Sequence, residues 1–199
     1  MGIVWFHAGS VSKNGKGVLI SAGTGGGKTT TVISLIRSGF DFVTDDVAFV
    51  RKRGRDISVL GFEKDLSLLN KSISFFPELS FLAARPSVKK GLRWKRILRV
   101  SEIAILKNAQ KVNGAKIKAI VFPRLEKRTK THLEPLSKTE TFLKIIETQH
   151  REWKPEINDA VAIRKQFQTY QAIAANVKGY ELLLNKSVEE IPAIIQRIL

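Results

Sequence analysis

Two groups of side chains in this sequence have the types and spacing to handle a phosphorylated ligand. The first is the run Ala22-Gly23-Thr24-Gly25-Gly26-Gly27-Lys28-Thr29-Thr30, and the second is the acidic pair Asp45-Asp46. The glycines let backbone N–H groups turn inward around an anion and approach it closely. Lys28 is then spaced to reach the β- and γ-phosphates of a nucleotide, Thr29 to offer its hydroxyl to Mg²⁺, and Thr30 to continue the cradle into a helix start whose partial positive charge adds to it. The order follows G-x-x-x-x-G-K-[ST] except at its first position, where Ala22 stands, and alanine makes that turn if its φ stays negative. A flexible glycine-rich loop with an incidental lysine is the plainer alternative. The apolar strand before the run and the periodic helix after it are the context that the nucleotide reading requires.

The acidic pair follows at the spacing of one strand–helix–strand unit. One carboxylate of such a pair can hold the metal or its waters, while its neighbour, within reach of an acceptor hydroxyl, takes the proton. Two aspartates that simply make a turn are the bland alternative. His7 falls on a strand expected to pair with the one that feeds the loop, which brings it toward the nucleotide. A lone histidine is more often structural or exposed.

The elements that must position these groups are readable in outline. Residues 3–12 alternate as a strand, and Asn14-Gly15 favours a tight hairpin turn. Residues 17–21 form a buried strand. A helix over 28–38 puts Val32, Leu35 and Ile36 on one face and closes at Gly39, and a strand over 40–44 delivers the acids. A charged hairpin spans 51–60, where Arg51, Lys52, Arg53 and Arg55 either steer a phosphorylated ligand or lie in solvent. Residues 62–84 read as two short core-packing helices around Pro77. Residues 85–99 carry Arg85, Lys89, Lys90, Arg93, Lys95, Arg96 and Arg99 with no acid. That segment reads as a flap over phosphates, a polyanion contact or a solvated loop.

Further on, residues 116–122 form a strand ended by Pro123, followed by Arg124, Lys127, Arg128 and Lys130 near a strand end, where α/β sheets place their ligands. Ser137 and Glu140 form a capping box for a helix reaching Gln149. A helix over about 158–174, a strand over 179–184 and a capped closing helix from Ser187 complete the chain.

At 199 residues one compact domain, 1–199, is expected, with enough core to fold without staples. With no cysteine, disulfides, thiolate zinc sites and cysteine nucleophiles are excluded. The first residues lack the basic head and long apolar run of a signal peptide, and no segment approaches the length of a membrane span, so a cytoplasmic protein without membrane attachment is expected. The formal charge of +16 attracts nucleic acid, nucleotides, acidic peptides and anionic surfaces alike.

Taken together, His7 in Phe-His-Ala-Gly-Ser-Val, Gly17-Val-Leu-Ile, the loop through Lys28-Thr29 and Gly39-Phe-Asp-Phe-Val-Thr-Asp45-Asp46 resemble the catalytic domain of the HPr kinase/phosphorylase superfamily. Leu133-Glu-Pro-Leu-Ser and Gly179-Tyr-Glu-Leu are similar to its shorter members. The resemblance implies an α/β fold with a mixed β-sheet kinase core flanked by helices, shared with the ATP-dependent phosphoenolpyruvate carboxykinases. It also implies transfer of the γ-phosphoryl group of ATP, with Mg²⁺, to a hydroxyl, typically serine of a protein or peptide, with a small-molecule alcohol as the other acceptor. In that pattern Lys28 binds phosphate, Thr29 and Asp45 hold the metal, Asp46 activates the acceptor and His7 lies by the transferred phosphate. HPr kinases form hexamers, so the resemblance allows a homo-oligomer. Thr30 stands where the family has an acidic residue, and the family's Glu-Ile-Arg-Gly-like string is missing. Both departures point away from HPr itself as acceptor and from the phosphorylase activity. The rival from another class is a non-catalytic nucleotide-dependent module that binds a polyanion such as nucleic acid, for which paired carboxylates have no use.

Overall fold

The expected single strand over residues 3–12 is two strands, β1 (Ile3–Phe6) and β2 (Gly9–Lys13), with His7 and Ala8 between them. The computed structural model describes residues 3–90, 92–107, 109–126, 130–150, 160–185 and 187–199. Asn14 and Gly15, both with positive φ, turn the chain into β3 (Lys16–Ile20), as the Asn-Gly pair predicts. Then come α1 (Lys28–Arg37), β4 (Asp41–Thr44), β5 (Ala48–Arg53) and β6 (Asp56–Leu60). In the main sheet, order β1-β5-β6-β10-β3-β2-β4, β10 is Gly114–Leu125. Because β1 and β2 are adjacent in sequence yet far apart in that order, the sheet curls back on itself, and the curl forces the break at His7.

The crossover from β3 through α1 to β4 skips one position, because β2 lies between the two strands and runs antiparallel to both. α1 ends as the sequence predicts: the Gly39 N–H donates to Ile36 O and the Phe40 N–H to Leu35 O, with Gly39 at φ +85°.

Between the two halves of the main sheet the chain builds a smaller one. Here β7 (Leu66–Leu68), β8 (Val88–Lys90) and β9 (Arg93–Leu98) pair in the order β7-β9-β8. The two helices expected over 62–84 reduce to the single turn α2 (Asn70–Ile73) and a 3₁₀ helix, Pro77–Ala84. Residues 66–68 are extended because Leu66 and Leu68 find partners in Leu98 and Arg96 across the sheet.

β10 continues through Pro123, contrary to expectation. Ser21 N–H donates to Val121 O, so the ring nitrogen of Pro123, two residues on, faces the side that β3 has already left, and no ladder donor is lost. The chain then adds β11 (His132–Leu136), α3 (Lys138–His150), α4 (Ala160–Asn176), β12 (Lys178–Leu184) and α5 (Ile191–Gln196). The Ser137–Glu140 capping box forms, each side chain accepting from the other's N–H. The capping box that Ser187 and Glu190 predict for the closing helix does not form: the Glu190 carboxylate instead accepts from the Thr131 N–H at 2.8 Å. Lys127 and Arg128 lie outside the described residues.

The central strands are buried on both faces, as parallel pairing demands. Val18, Ile20, Val121 and Leu182 join α1 and α5 in one core, while Leu19, Ile120 and Phe122 pack with α3 and α4 in the other. The protein is therefore mixed α/β, with helices on both faces of a curled sheet. Among the described residues no helix is long and apolar enough to cross a membrane.

Candidate functional site

β3 runs under α1 and releases the chain into the glycine run at the sheet's end. Gly25 at φ +85° and Gly27 at φ +100° take conformations that a side chain would strain, and they open the loop at the helix N-terminus. The start of α1 has no side-chain cap, so its first N–H groups face the cleft, where an anion fits them. Ala22 is not among the residues with positive φ, as its place requires. Gly26 turns inward: its N–H donates to Gly23 O at 2.9 Å, and a Cβ there would lie 3.0 Å from that of Ala22. Gly26 therefore shapes the loop rather than lining it.

The acids meet this helix start. Thr29 Oγ1 donates to Asp45 Oδ2 at 3.0 Å, and Lys28 Nζ lies 3.0 Å from Asp46 Oδ1 and 3.7 Å from Asp45 Oδ1. Asp45 is 2% exposed, and its Oδ1 accepts no hydrogen bond. Gly9 makes room for it: a Cβ at that position would lie 3.1 Å from Asp45 Oδ1 and 2.5 Å from Val32.

Asp46 occupies a strained turn. Its φ is +71°, and the Asp45 carbonyl accepts from the Val47 N–H at 2.9 Å, which makes the three residues a γ-turn of the rare positive-φ kind. On a continuing strand two adjacent acids would point to opposite faces; the turn instead keeps both beside Lys28, with Asp45 buried against Thr29 and Asp46 more exposed.

Cations surround Asp46. Lys64 Nζ donates to its Oδ2 at 2.5 Å, and His7 Nδ1 lies 3.5 Å from its Oδ1. Burial acts to raise its pKa, but the charge of Lys28 and hydrogen bonds from Lys64 and Lys28 outweigh it and hold the carboxyl well below the usual range.

His7 is buried, and its backbone is held by a residue from far along the chain. Its N–H donates to Gln149 Oε1 at 2.7 Å, while Gln149 Nε2 donates to His7 O and to Ser21 Oγ. The Gln149 amide thus satisfies the backbone where the strand breaks, as a neighbouring strand would.

In the basic segment β8 and β9 pair as antiparallel strands beside the loop, with Gly91 outside the described residues. Arg93 reaches the glycine run, where its Nη1 is 2.6 Å from the position a Gly25 Cβ would take. Lys90, Arg93 and Lys95 line a cleft of about 880 Å³ together with His7, Lys28, Thr29, Thr30, Asp45 and Asp46. Ala22, Gly23, Thr24, Gly25 and Gly27 line it too. Thr30 Oγ1 donates to Ser72 Oγ at 3.1 Å, tying the helix start to α2. Arg51, Lys52, Arg53 and Arg55 do not line this cleft, and Arg124 is paired with Glu126 and Glu181.

No protein-family model matches the chain, and no curated protein matches it. Among solved structures, the HPr(Ser) kinase/phosphatase from Coxiella burnetii is similar to it. That similarity stands at 14% identity and a TM-score of 0.44, over 98% of this chain and 92% of that one. At that distance the chain's own side chains have to carry any functional conclusion.

Lys64, Gly9 and Gln149 are residues of this candidate site that spacing did not reveal. Each belongs to an element whose approach to the loop depends on the tertiary fold.

Among the described residues no three His, Cys, Asp or Glu side chains cluster to hold a metal. Magnesium does not require such a cage, since it commonly uses one or two carboxylates with substrate phosphates and water. The Thr29 hydroxyl beside a buried carboxylate with one oxygen free of hydrogen bonds suits that role.

Proposed function

We propose that this protein is an ATP-dependent phosphotransferase that moves the γ-phosphoryl group to a hydroxyl, of serine in a protein or peptide or of a small-molecule alcohol. The observation that carries the reading is the joining of Lys28 to Asp46 and of Thr29 to Asp45 at one helix N-terminus. Thr29 and Asp45 would hold Mg²⁺, which when bound neutralises charge on the β- and γ-phosphates. Lys28 leaves Asp46 for the phosphates, and the amides after Gly27 and the guanidinium of Arg93 complete the cradle.

Loss of the Lys28 contact makes Asp46 a stronger base. It accepts the proton of the attacking hydroxyl as the acceptor oxygen bonds to the γ-phosphorus; the bond to the bridging oxygen breaks, and ADP leaves with the electron pair. His7, its backbone held by Gln149, borders the same Asp46 oxygen as Lys28 and limits the directions from which the hydroxyl enters. Most of the catalysis comes from position and charge rather than covalent chemistry.

The test is incubation of the protein with γ-labelled ATP, Mg²⁺ and a lysate of its source, followed by recovery of label as a phosphomonoester. The reading predicts label on a hydroxyl compound, lost with Asp46→Asn. Nucleotide binding without turnover under all these conditions would contradict it.

A further inference from the structure

β8 and β9 carry positive charge on both faces, and the cleft uses one of them. Residues 85–99 hold seven cations and no acid. Arg85 is matched by Glu102, and Glu78, the nearest acid before the segment, is held by Arg37. Arg93 and Lys95 line the cleft. Side chains alternate along a strand, so Trp94 and Arg96 stand on the other face, and Lys89, directly across from Trp94, shares it. Arg96 spends its Nε on the neutral Asn70 Oδ1 at 3.3 Å.

Trp94 is 62% exposed. Among the described residues no aromatic ring or cation stacks on it. Leu92 and Val88 are exposed too, but Val88 lies across from Lys95 and so belongs to the cleft face, while Leu92 precedes β9. Trp94 therefore stands among cations without a contiguous apolar surround. The apolar centre of a protein interface, or an edge that inserts into a membrane, needs that surround. Lysines at the open edge of β8 discourage the addition of another strand, but an exposed tryptophan does nothing for that purpose. A bare ring with a cation on either side suits a nucleic-acid base and its two flanking phosphates.

We propose that this face binds single-stranded nucleic acid, with a base stacked on Trp94 and the neighbouring phosphates on Lys89 and Arg96. The inference stands apart from the phosphotransferase reading, because the face is turned away from the cleft.

The test is fluorescence anisotropy of the full chain with labelled oligo(dT) and oligo(U) of about 12 nucleotides, in excess ATP and Mg²⁺. A polyglutamate peptide and phosphatidylserine vesicles serve as competitors. Binding of at least one single strand is expected, weakened about fivefold or more in Trp94→Ala and within about twofold of wild type in Trp94→Phe. Lys89→Ala and Arg96→Ala should each reduce the salt slope by about 0.7 log units. The relative affinity of the two oligonucleotides tells whether DNA or RNA is the ligand. The proposal is overturned by absence of binding to both strands, by unchanged affinity in Trp94→Ala, or by a salt slope that neither cation variant alters. Displacement by ATP would put the strand in the cleft, and tighter Trp94-dependent binding of polyglutamate or vesicles would give the face to a protein or a membrane; either result contradicts the proposal.

Discussion

Lys28 Nζ and Asp46 Oδ1 lie 3.0 Å apart, joining the first residue of α1 to the centre of the strained turn after β4. In the proposed phosphotransferase this pair would couple nucleotide binding to the release of a base, since the lysine cannot serve the carboxylate and the phosphates equally. The following expectations depend on the arrangement around it.

The turn itself can be relaxed. Asp46→Gly removes the positive-φ penalty of about 1 kcal/mol and the carboxylate together. Its thermal stability should match or exceed that of Asp46→Ala, measured by calorimetry, while both abolish transfer.

At Gly27, φ is +100° and a Cβ would come within 2.8 Å of Leu184 Cδ1. Gly27→Ala should destabilise the fold by about 1–2 kcal/mol and weaken ATP binding about tenfold or more, read by denaturant melts and calorimetry. At Gly25 the nearest atoms are the far end of Arg93, which can move, so strain from its φ dominates there.

Much of this site was legible because it is local. The glycine run, Lys28-Thr29 and Asp45-Asp46 lie within one crossover, and Gly39 and Asn14-Gly15 define turns whose backbone only such residues favour. The break at His7 was hidden because it depends on which strands β1 and β2 find in the curled sheet. Residues 66–68 were hidden for a similar reason, since a three-residue stretch takes its conformation from its partner β9. Gln149 looks like any polar residue on a helix until its amide is seen on the backbone of His7, 142 positions away. The basic segment offered several readings because charge alone says nothing of where a hairpin folds.

Gln149 should matter more than its distance in sequence suggests. Gln149→Leu leaves the His7 N–H and C=O and Ser21 Oγ without this partner in a buried site, at a cost of about 1–3 kcal/mol. Transfer should fall with stability. Gln149→Glu keeps the acceptor for the His7 N–H but loses both donors, so it should not rescue activity measured well below the melting temperature.

The hairpin is anchored at its root by Arg85, which donates to Glu102 at 2.8 and 2.6 Å and lies over Phe81. The Arg85 hydrogen bonds, opposed by burial and aided by the Arg99 N–H, lower the Glu102 pKa from 4.5 to about 2. A depressed carboxylate stabilises the fold above its unfolded pKa and loses that contribution as pH falls through its folded value. The melting temperature of the wild type should therefore exceed that of Glu102→Gln at pH 6, with the gap closing between about pH 4.5 and 2. A gap that persists at pH 2 would show that the ion pair is not its source.

Asp45 and Thr29 should set the response to metal. Asp45→Asn is expected to raise the Mg²⁺ concentration for half-maximal transfer by about tenfold or more, with a smaller effect on the affinity for metal-free ATP. A Mg²⁺ titration of transfer at fixed ATP reads this directly.

The central claim is the division of labour between Lys28 and Asp46, and Asp46→Asn and Lys28→Ala tested side by side examine it most directly. ATP affinity is measured by calorimetry and γ-phosphoryl transfer in a single turnover. Asp46→Asn should bind ATP within about threefold of wild type yet transfer at least about 100-fold more slowly, while Lys28→Ala should weaken ATP binding itself by about tenfold or more. Equal loss of affinity in both variants, or full transfer by Asp46→Asn, would contradict the account.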